Sequence, residues 1–272
     1  MDKNFNPDKQ HTLAKAVSIS GTGLHSGIEV DMTLKPANPG FGYNFQRIDL
    51  PGAPVIKADC DLVSDTSRGT TLVKDGCRVS TVEHILAALV GMGVDNCLIE
   101  LNGPEIPIMD GSSGPFVDII EKTGVLEQDA AKVWYSIDTN ISYFDDIKKV
   151  EMTALPAVNY QLTTLIDFNS PVLGTQHASL KSMKEFQQEI ATCRTFCFLH
   201  ELEMLLDNNL VKGGDINNAI VVVDKPVTDE EMNRLAKAFG RKKVEVKSEG
   251  YLNNLELRFA YRPARHKLLD VV

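Results

Sequence analysis

Apolar and polar positions alternate strictly along Ile28, Val30, Met32 and Leu34, set against Glu29, Asp31, Thr33 and Lys35. That period of two predicts a strand with one wet face, and most of the stretch from Leu13 to Leu101 reads as strand. Ahead of it, Gly21-Thr22-Gly23-Leu24-His25-Ser26-Gly27 has enough glycine for a sharp turn or for a backbone approaching a ligand. Thr70 to Val79 predicts a hairpin turning at Lys74-Asp75-Gly76. The period then lengthens. Val82, Ile85, Leu86, Leu89 and Val90 recur at helical spacing and predict a helix from Thr81 to about Gly91. On a helical wheel Glu83 falls at the edge of that stripe and His84 nearly opposite its centre, beside small Ala87 and Ala88. Val94 to Leu101 predicts another strand, Pro104 to Pro115 a rigid loop, and Phe116 to Thr123 a helix stopped by Gly124.

Past Glu127 the cycle of strands and helices starts again. Strands are expected at Val133 to Ile141, Val150 to Ala157, Tyr160 to Phe168, Ala219 to Val223 and Leu255 to Phe259. Helices are expected from Met183 to about Asn209, from Asp229 to Ala238, and from near Pro263 through Asp270. The pattern divides into two α+β halves of similar order joined near residue 127, without a close repeat between them.

Composition narrows the function. The 272 residues carry a net charge of −9 and are 43% hydrophobic, enough for a sizeable core. With no cluster of Lys or Arg, nucleic acid and anionic membrane are excluded as main partners, and at most peripheral membrane contact is expected. The five cysteines are odd in number and lack a Cys-x-x-Cys pair, so they read as buried thiols in a reducing compartment. The polar start of the chain has no apolar core of a secretory signal, and no stretch reaches about 20 apolar residues. The expected location is the cytoplasm.

Two constellations can carry chemistry. His266 and Asp270 stand at i, i+4 on one face of the terminal helix, able to offer two ligands to one metal or to form an ordinary surface ion pair. In Ser80-Thr81-Val82-Glu83-His84, Ser80 and Glu83 have the spacing of a capping box, which alone would account for Glu83 but not for His84. Should His84, His266 and Asp270 converge, they form a three-ligand site with an open position, as in catalytic zinc, and Glu83 stands beside it as a base. Other candidates are weaker. His200-Glu201-Leu202-Glu203-Met204 lacks the second histidine of a zincin helix. Cys193 and Cys197 read as two buried thiols of one helix, and His11 and His177 as solvated. Lys212-Gly213-Gly214-Asp215 reads as a turn, and Arg194-Thr195-Phe196-Cys197-Phe198 as core packing.

Six segments, in order, resemble the UDP-3-O-acyl-N-acetylglucosamine deacetylase family. They are Thr22-Gly23-Leu24-His25-Ser26-Gly27, Ser80-Thr81-Val82-Glu83-His84, Pro107-Ile108-Met109-Asp110-Gly111-Ser112, Ile166-Asp167-Phe168-Asn169, Arg194-Thr195-Phe196 and Arg265-His266-Lys267-Leu268-Leu269-Asp270. The resemblance runs from about Gln10 to the last residue. It implies an α+β fold of two similar domains, 1–126 and 127–272, each a sheet layered on helices with the active site between them. It implies removal of the N-acetyl group of UDP-3-O-acyl-N-acetylglucosamine, the committed step of lipid A biosynthesis, with Zn2+ as cofactor. By position it makes His84, His266 and Asp270 the metal ligands, Glu83 the general base, and Thr195 and Lys267 the oxyanion stabilisers. It makes Phe196 and Phe198 walls of an acyl passage, Phe168 a platform for uracil, and His25 a neighbour of the site.

The family pattern continues past the last ligand to a Gly-His-Ala segment whose histidine protonates the leaving amine. Because the sequence stops at Val272, the expectation is a chain that assembles the ligands but is impaired in turnover, with domain two incomplete. A fused dehydratase domain is expected in some full-length parents. The competing readings are a non-catalytic module binding a lipid-sugar nucleotide and a zinc amidase with another acyl substrate.

Overall fold

The computed structural model describes residues 6–67, 69–202, 212–213, 218–252 and 261–272. Ten strands and two helices build the first part: β1 (Lys9–Leu13), β2 (Val17–Thr22), β3 (Glu29–Pro36), β4 (Tyr43–Arg47), β5 (Val55–Lys57), β6 (Val63–Asp65), β7 (Thr71–Lys74), β8 (Cys77–Ser80), α1 (Glu83–Gly91), β9 (Cys97–Leu101), α2 (Gly114–Thr123) and β10 (Val125–Ala131). Five of the strands form one sheet in the order β2-β3-β9-β4-β5, antiparallel except where β4 runs parallel to β9. The alternation along β3 does what its period demands: Val30, Met32 and Leu34 are fully buried while Glu29 and Asp31 face water. Ile28 drops out of the pattern and is exposed, because the strand begins after it. β6, β7 and β8 make a second sheet, and the expected hairpin turn is present with Asp75 and Gly76 both at positive φ.

After residue 131 follow β11 (Ile141–Asp145), β12 (Val150–Ala154), β13 (Leu162–Ile166), β14 (Gln176–Leu180), α3 (Phe186–Glu189), β15 (Phe196–Phe198), β16 (Ile220–Val222), α4 (Asp229–Ala238) and α5 (Arg262–Leu269). The described strands here are paired two by two: β11-β12, β13-β14, and β15-β16 in parallel. The chain is therefore of mixed α+β class. Its largest core cluster joins β3, β9, α1 and α2 to Phe186, Ala264 and Leu268 from beyond residue 131. β10 pairs with β1 in a register that sets His11 opposite Glu127, so residue 127 lies within a strand.

Several expectations are corrected. Val133 to Asn140 is not a strand; Val133, Trp134 and Tyr135 are exposed with no neighbouring strand, and pairing starts only at Ile141. The single helix from Met183 is interrupted, because the chain leaves α3 to lay β15 alongside β16. Its end at residues 203–209, the strand at 255–259 and Gly214-Asp215 lie outside the described residues. His11 is not solvated but buried in β1, its N–H donating to Asp95 Oδ2 at 2.8 Å. His177 is exposed, yet on β14 rather than in a loop. Cys60 is exposed rather than buried, and Cys197 sits in a strand, so it shares no helix with Cys193. No helix among the described residues is long and apolar enough to cross a membrane.

Candidate metal and catalytic site

α1 delivers Glu83 and His84 at its first turn. The capping box is absent: Val82 precedes the helix without a side-chain cap, and Ser80 Oγ accepts instead from Thr71 Oγ1 and Arg78. The reason is the backbone, which enters the helix through Thr81 at φ 61° and turns Ser80 away from the helix start. Glu83 is thereby released for other work. Its Oε2 accepts the Thr70 N–H at 3.0 Å, and Oε1 has no hydrogen bond from the described residues.

α5 delivers the second pair. Pro263 stands in its first turn, and Ala264, Leu268 and Leu269 pack into the core, which turns His266 inward. The rings of His84 and His266 meet edge to face, centroids 5.2 Å apart. His266 Nε2 lies 3.7 Å from Asp270 Oδ1, and one donor atom from each of His84, His266 and Asp270 lies within 4.8 Å of the others. Tetrahedral bonds of about 2.1 Å would set donors roughly 3.4 Å apart, a modest adjustment of side chains. The face of α1 that reads as polar on a wheel is thus not a solvent face; the terminal helix covers it, and His84 is buried.

The donor set fits a metal on three further counts. His84 Nδ1 is buried with no hydrogen-bond partner, a costly arrangement unless the atom has a ligand to serve. His266 Nδ1 lies 3.0 Å from the Cys193 carbonyl, which only accepts, so Nδ1 carries the proton and the Nε2 lone pair is left available to a metal. Electrostatics keep both rings neutral. Burial pushes His84 down to about 4, with the neighbouring His266 adding to the push. Burial lowers His266 as well, against the pull of Asp270 and the Cys193 carbonyl. For Asp270 burial pushes upward, but His266 and Lys267 outweigh it and hold the carboxyl below its ordinary value.

A cavity of about 440 Å³ opens onto these groups. Thr195, Phe196 and Phe198 line it from β15 and its approach, Phe168 from the loop after β13, His25 from the glycine-rich loop, and Lys267 from α5. The structure brings all the singled-out site residues to this one cavity. Phe168 stands edge to face with Phe196 at 5.6 Å and Phe198 at 5.8 Å. Lys267 Nζ bonds Asp270 Oδ2 at 2.9 Å, leaving Oδ1 toward His266. The segment from Arg194 to Phe198 is therefore cavity lining as well as packing. His200 stands apart, stacked on Phe198 and 3.6 Å from Asp224.

Sequence reasoning missed Thr81, Thr70 and Glu105. Thr70 carries no signal beyond an ordinary strand residue, and Thr81 reads only as a helix start within the Ser80 to His84 segment. Glu105 did have one: a carboxylate set between Pro104 and the apolar run Ile106-Pro107-Ile108-Met109. Gly111 also matters, since at φ 81° a Cβ there would fall 1.7 Å from the Asn218 carbonyl.

Comparison with known proteins gives one family. A profile described as UDP-3-O-acyl N-acetylglycosamine deacetylase matches residues 10–245. A bifunctional enzyme LpxC/FabZ of Bacteroides thetaiotaomicron is 44% identical over 264 residues, 97% of this chain and 57% of its own length. The enzyme of that name from Chlorobaculum tepidum is 45% identical over 266 residues, with the same coverage of 97% and 57%. A UDP-3-O-acyl-N-acetylglucosamine deacetylase of Myxococcus xanthus is 44% identical over 236 residues, 86% of this chain and 74% of its own. The chain thus spans a little over half the length of the bifunctional relatives it matches.

Proposed function

Because the chain belongs to the UDP-3-O-acyl N-acetylglycosamine deacetylase family, we propose that it removes the N-acetyl group of UDP-3-O-acyl-N-acetylglucosamine by zinc-dependent hydrolysis. The products are acetate and UDP-3-O-acyl-glucosamine, and the reaction is the committed step of lipid A biosynthesis. The observation that carries this reading is the convergence of His84, His266 and Asp270, their donor atoms within 4.8 Å, beside Glu83.

Zn2+ held by those three residues would supply Lewis acidity to the amide being cleaved. Glu83 supplies the base. With Oε2 fixed by the Thr70 N–H, Oε1 takes the proton of the attacking water and passes it to the amine nitrogen as the C–N bond breaks. Thr195 and Lys267 face the oxygen on which negative charge develops, each donor contributing about 3 kcal/mol to the transition state. The ion pair with Asp270 holds the Lys267 ammonium at the cavity wall until that charge appears. Phe196 and Phe198 wall the acyl passage, which gains up to about 0.8 kcal/mol per buried CH₂. Phe168 offers its exposed face to uracil, and His25 lines the cavity close to Glu83 and His84.

The same reading divides the chain into two domains, residues 1–126 and 127–272, with the seam along β10 and the site between them. Glu83 and His84 come from the first, and Thr195, His266, Lys267 and Asp270 from the second. Five cysteines, none of them in a disulfide, support a reducing compartment, the cytoplasm. The acidic balance of −9 supports a small-molecule partner over nucleic acid. The two-enzyme name of the relatives supports a fused dehydratase domain in the parent protein.

Zinc content and acetate release test this. One zinc per chain and zinc-dependent acetate release from the UDP-sugar, with none from simple N-acetylated sugars, are the expected results. Metal-independent binding of the UDP-sugar without acetate release would overturn the proposal.

A further inference from the structure

Glu105 is only 2% exposed, and no cation pairs with it among the described residues. Its carboxylate instead accepts three hydrogen bonds. The His25 N–H donates to Oε1 at 3.0 Å, the Ser26 N–H to Oε2 at 2.8 Å, and the Thr81 hydroxyl to Oε1 at 3.0 Å. A buried charge without a counter-ion is a poor choice for stability alone; an apolar residue or an amide would be easier to desolvate. What a carboxylate does provide is acceptors only, several of them, on one rigid group. Here two of the donors belong to the glycine-rich loop and the third to the residue that leads into α1.

Both segments need holding. Thr81 is β-branched and sits at φ 61°, a region such residues avoid, two positions before Glu83. The loop is seated so closely on the carboxylate that a Cβ at Gly23 would fall 2.6 Å from Glu105 Oε2 and 2.5 Å from Ser26 Oγ. His25 and Thr81 both line the cavity beside Glu83 and His84. The backbone of residues 104–108 bridges to Ser80 on one side and to Thr22 and Gly23 on the other, and the Glu105 carboxylate adds the side-chain acceptors that hold the loop residues His25 and Ser26 and the Thr81 hydroxyl on one group.

We propose that Glu105 is a positioning residue of this site: it latches the His25 loop to the entry of α1 and so fixes where His25 stands relative to Glu83 and His84. Its bearing on turnover rests on the deacetylase reading; the latch does not.

The test is Glu105→Gln in the zinc-loaded full chain, which keeps side-chain length but turns one acceptor into a donor facing an N–H. Backbone amide exchange at His25 and Ser26 should quicken roughly tenfold or more while β3 and β9 keep their protection. Zinc content should remain one per chain. Acetate release should slow roughly tenfold to a hundredfold, and in a His25→Ala background Glu105→Gln should add little, because the two act as one unit. Unchanged exchange at His25 and Ser26, or fully additive losses, would overturn the proposal. If Glu105→Gln does not fold, Thr81→Ala removes one donor and leaves the charge in place. Faster amide exchange at His25 and Ser26 and slower acetate release at full zinc content are then expected, and unchanged exchange overturns the latch. Absence of acetate release from the zinc-loaded unmodified chain would remove the deacetylase reading, and amide exchange would still decide the latch.

Discussion

Glu83 shows how one residue can fit two local rules and obey neither until the backbone is known. Three positions after Ser80 it reads as a capping partner; in the fold Thr81 turns the chain and Glu83 lines the same cavity as His84, His266 and Asp270. Its replacement separates the roles. Glu83→Gln should keep zinc and unfold within about 1 kcal/mol of the unmodified protein, since no cap is lost. Turnover should fall about a hundredfold to ten-thousandfold; preserved acetate release with lowered stability would return Glu83 to a structural role. His84 makes a second prediction. Its imidazole titrates near 6.5 when unfolded and near 4 when folded. Between these values the unfolded chain binds more protons, so stability of the metal-free protein is full above about 6.5 and declines as pH falls toward 4. The loss from His84 alone is about 3 kcal/mol, with His266 acting in the same direction. Urea unfolding in chelator at pH 7, 5.5 and 4 measures this, and a flat profile would contradict the burial of the ring.

At the scale of elements, legibility followed the strength of the period. α2, α4 and α5 lie within two residues of where they were expected, and Thr228 closes a real capping box with Glu231 at the start of α4. β14 went unread because Gln176-His177-Ala178-Ser179-Leu180 buries mostly small or polar side chains, and its identity comes from pairing with β13. Val133 to Tyr135 failed in the opposite sense: strand-forming residues with no layer to lie on. The apolar stripe of α1 was legible, with Val82, Ile85 and Leu89 buried as their spacing predicts, but the packing of its other face was not. Gly91, at its end, looks like an ordinary helix stop, yet a Cβ there would fall 2.0 Å from the buried ring of Phe186. Gly91→Ala should therefore destabilise by roughly 1–3 kcal/mol through overpacking, although alanine is the better helix former. Thermal unfolding checks this, and adding Phe186→Leu to Gly91→Ala should recover part of the loss; a stabilised Gly91→Ala would mean that α1 and α3 do not meet this way.

Across the whole molecule, the spacing of His266 and Asp270 on one helix was visible in the chain, whereas the arrival of His84 against them is a property of the core that joins α1 to α5. Only the native state brings the three donors together, so a metal bound there must stabilise folding. A free concentration a hundred times the dissociation constant contributes about 2.7 kcal/mol. For a protein of this size that raises Tm by about 5 to 10 °C. The described residues contain a second group of closely spaced donors, half-buried Asp59 with exposed Cys60 and Asp61, on the first part of the chain, and it serves as the control. Zinc should raise the Tm of the unmodified protein and of Cys60→Ser alike, and should leave His84→Ala and Asp270→Ala where they were. A shift that survives His84→Ala but disappears in Cys60→Ser would put the metal on the surface group and separate the two ends of the chain that the proposed chemistry requires together.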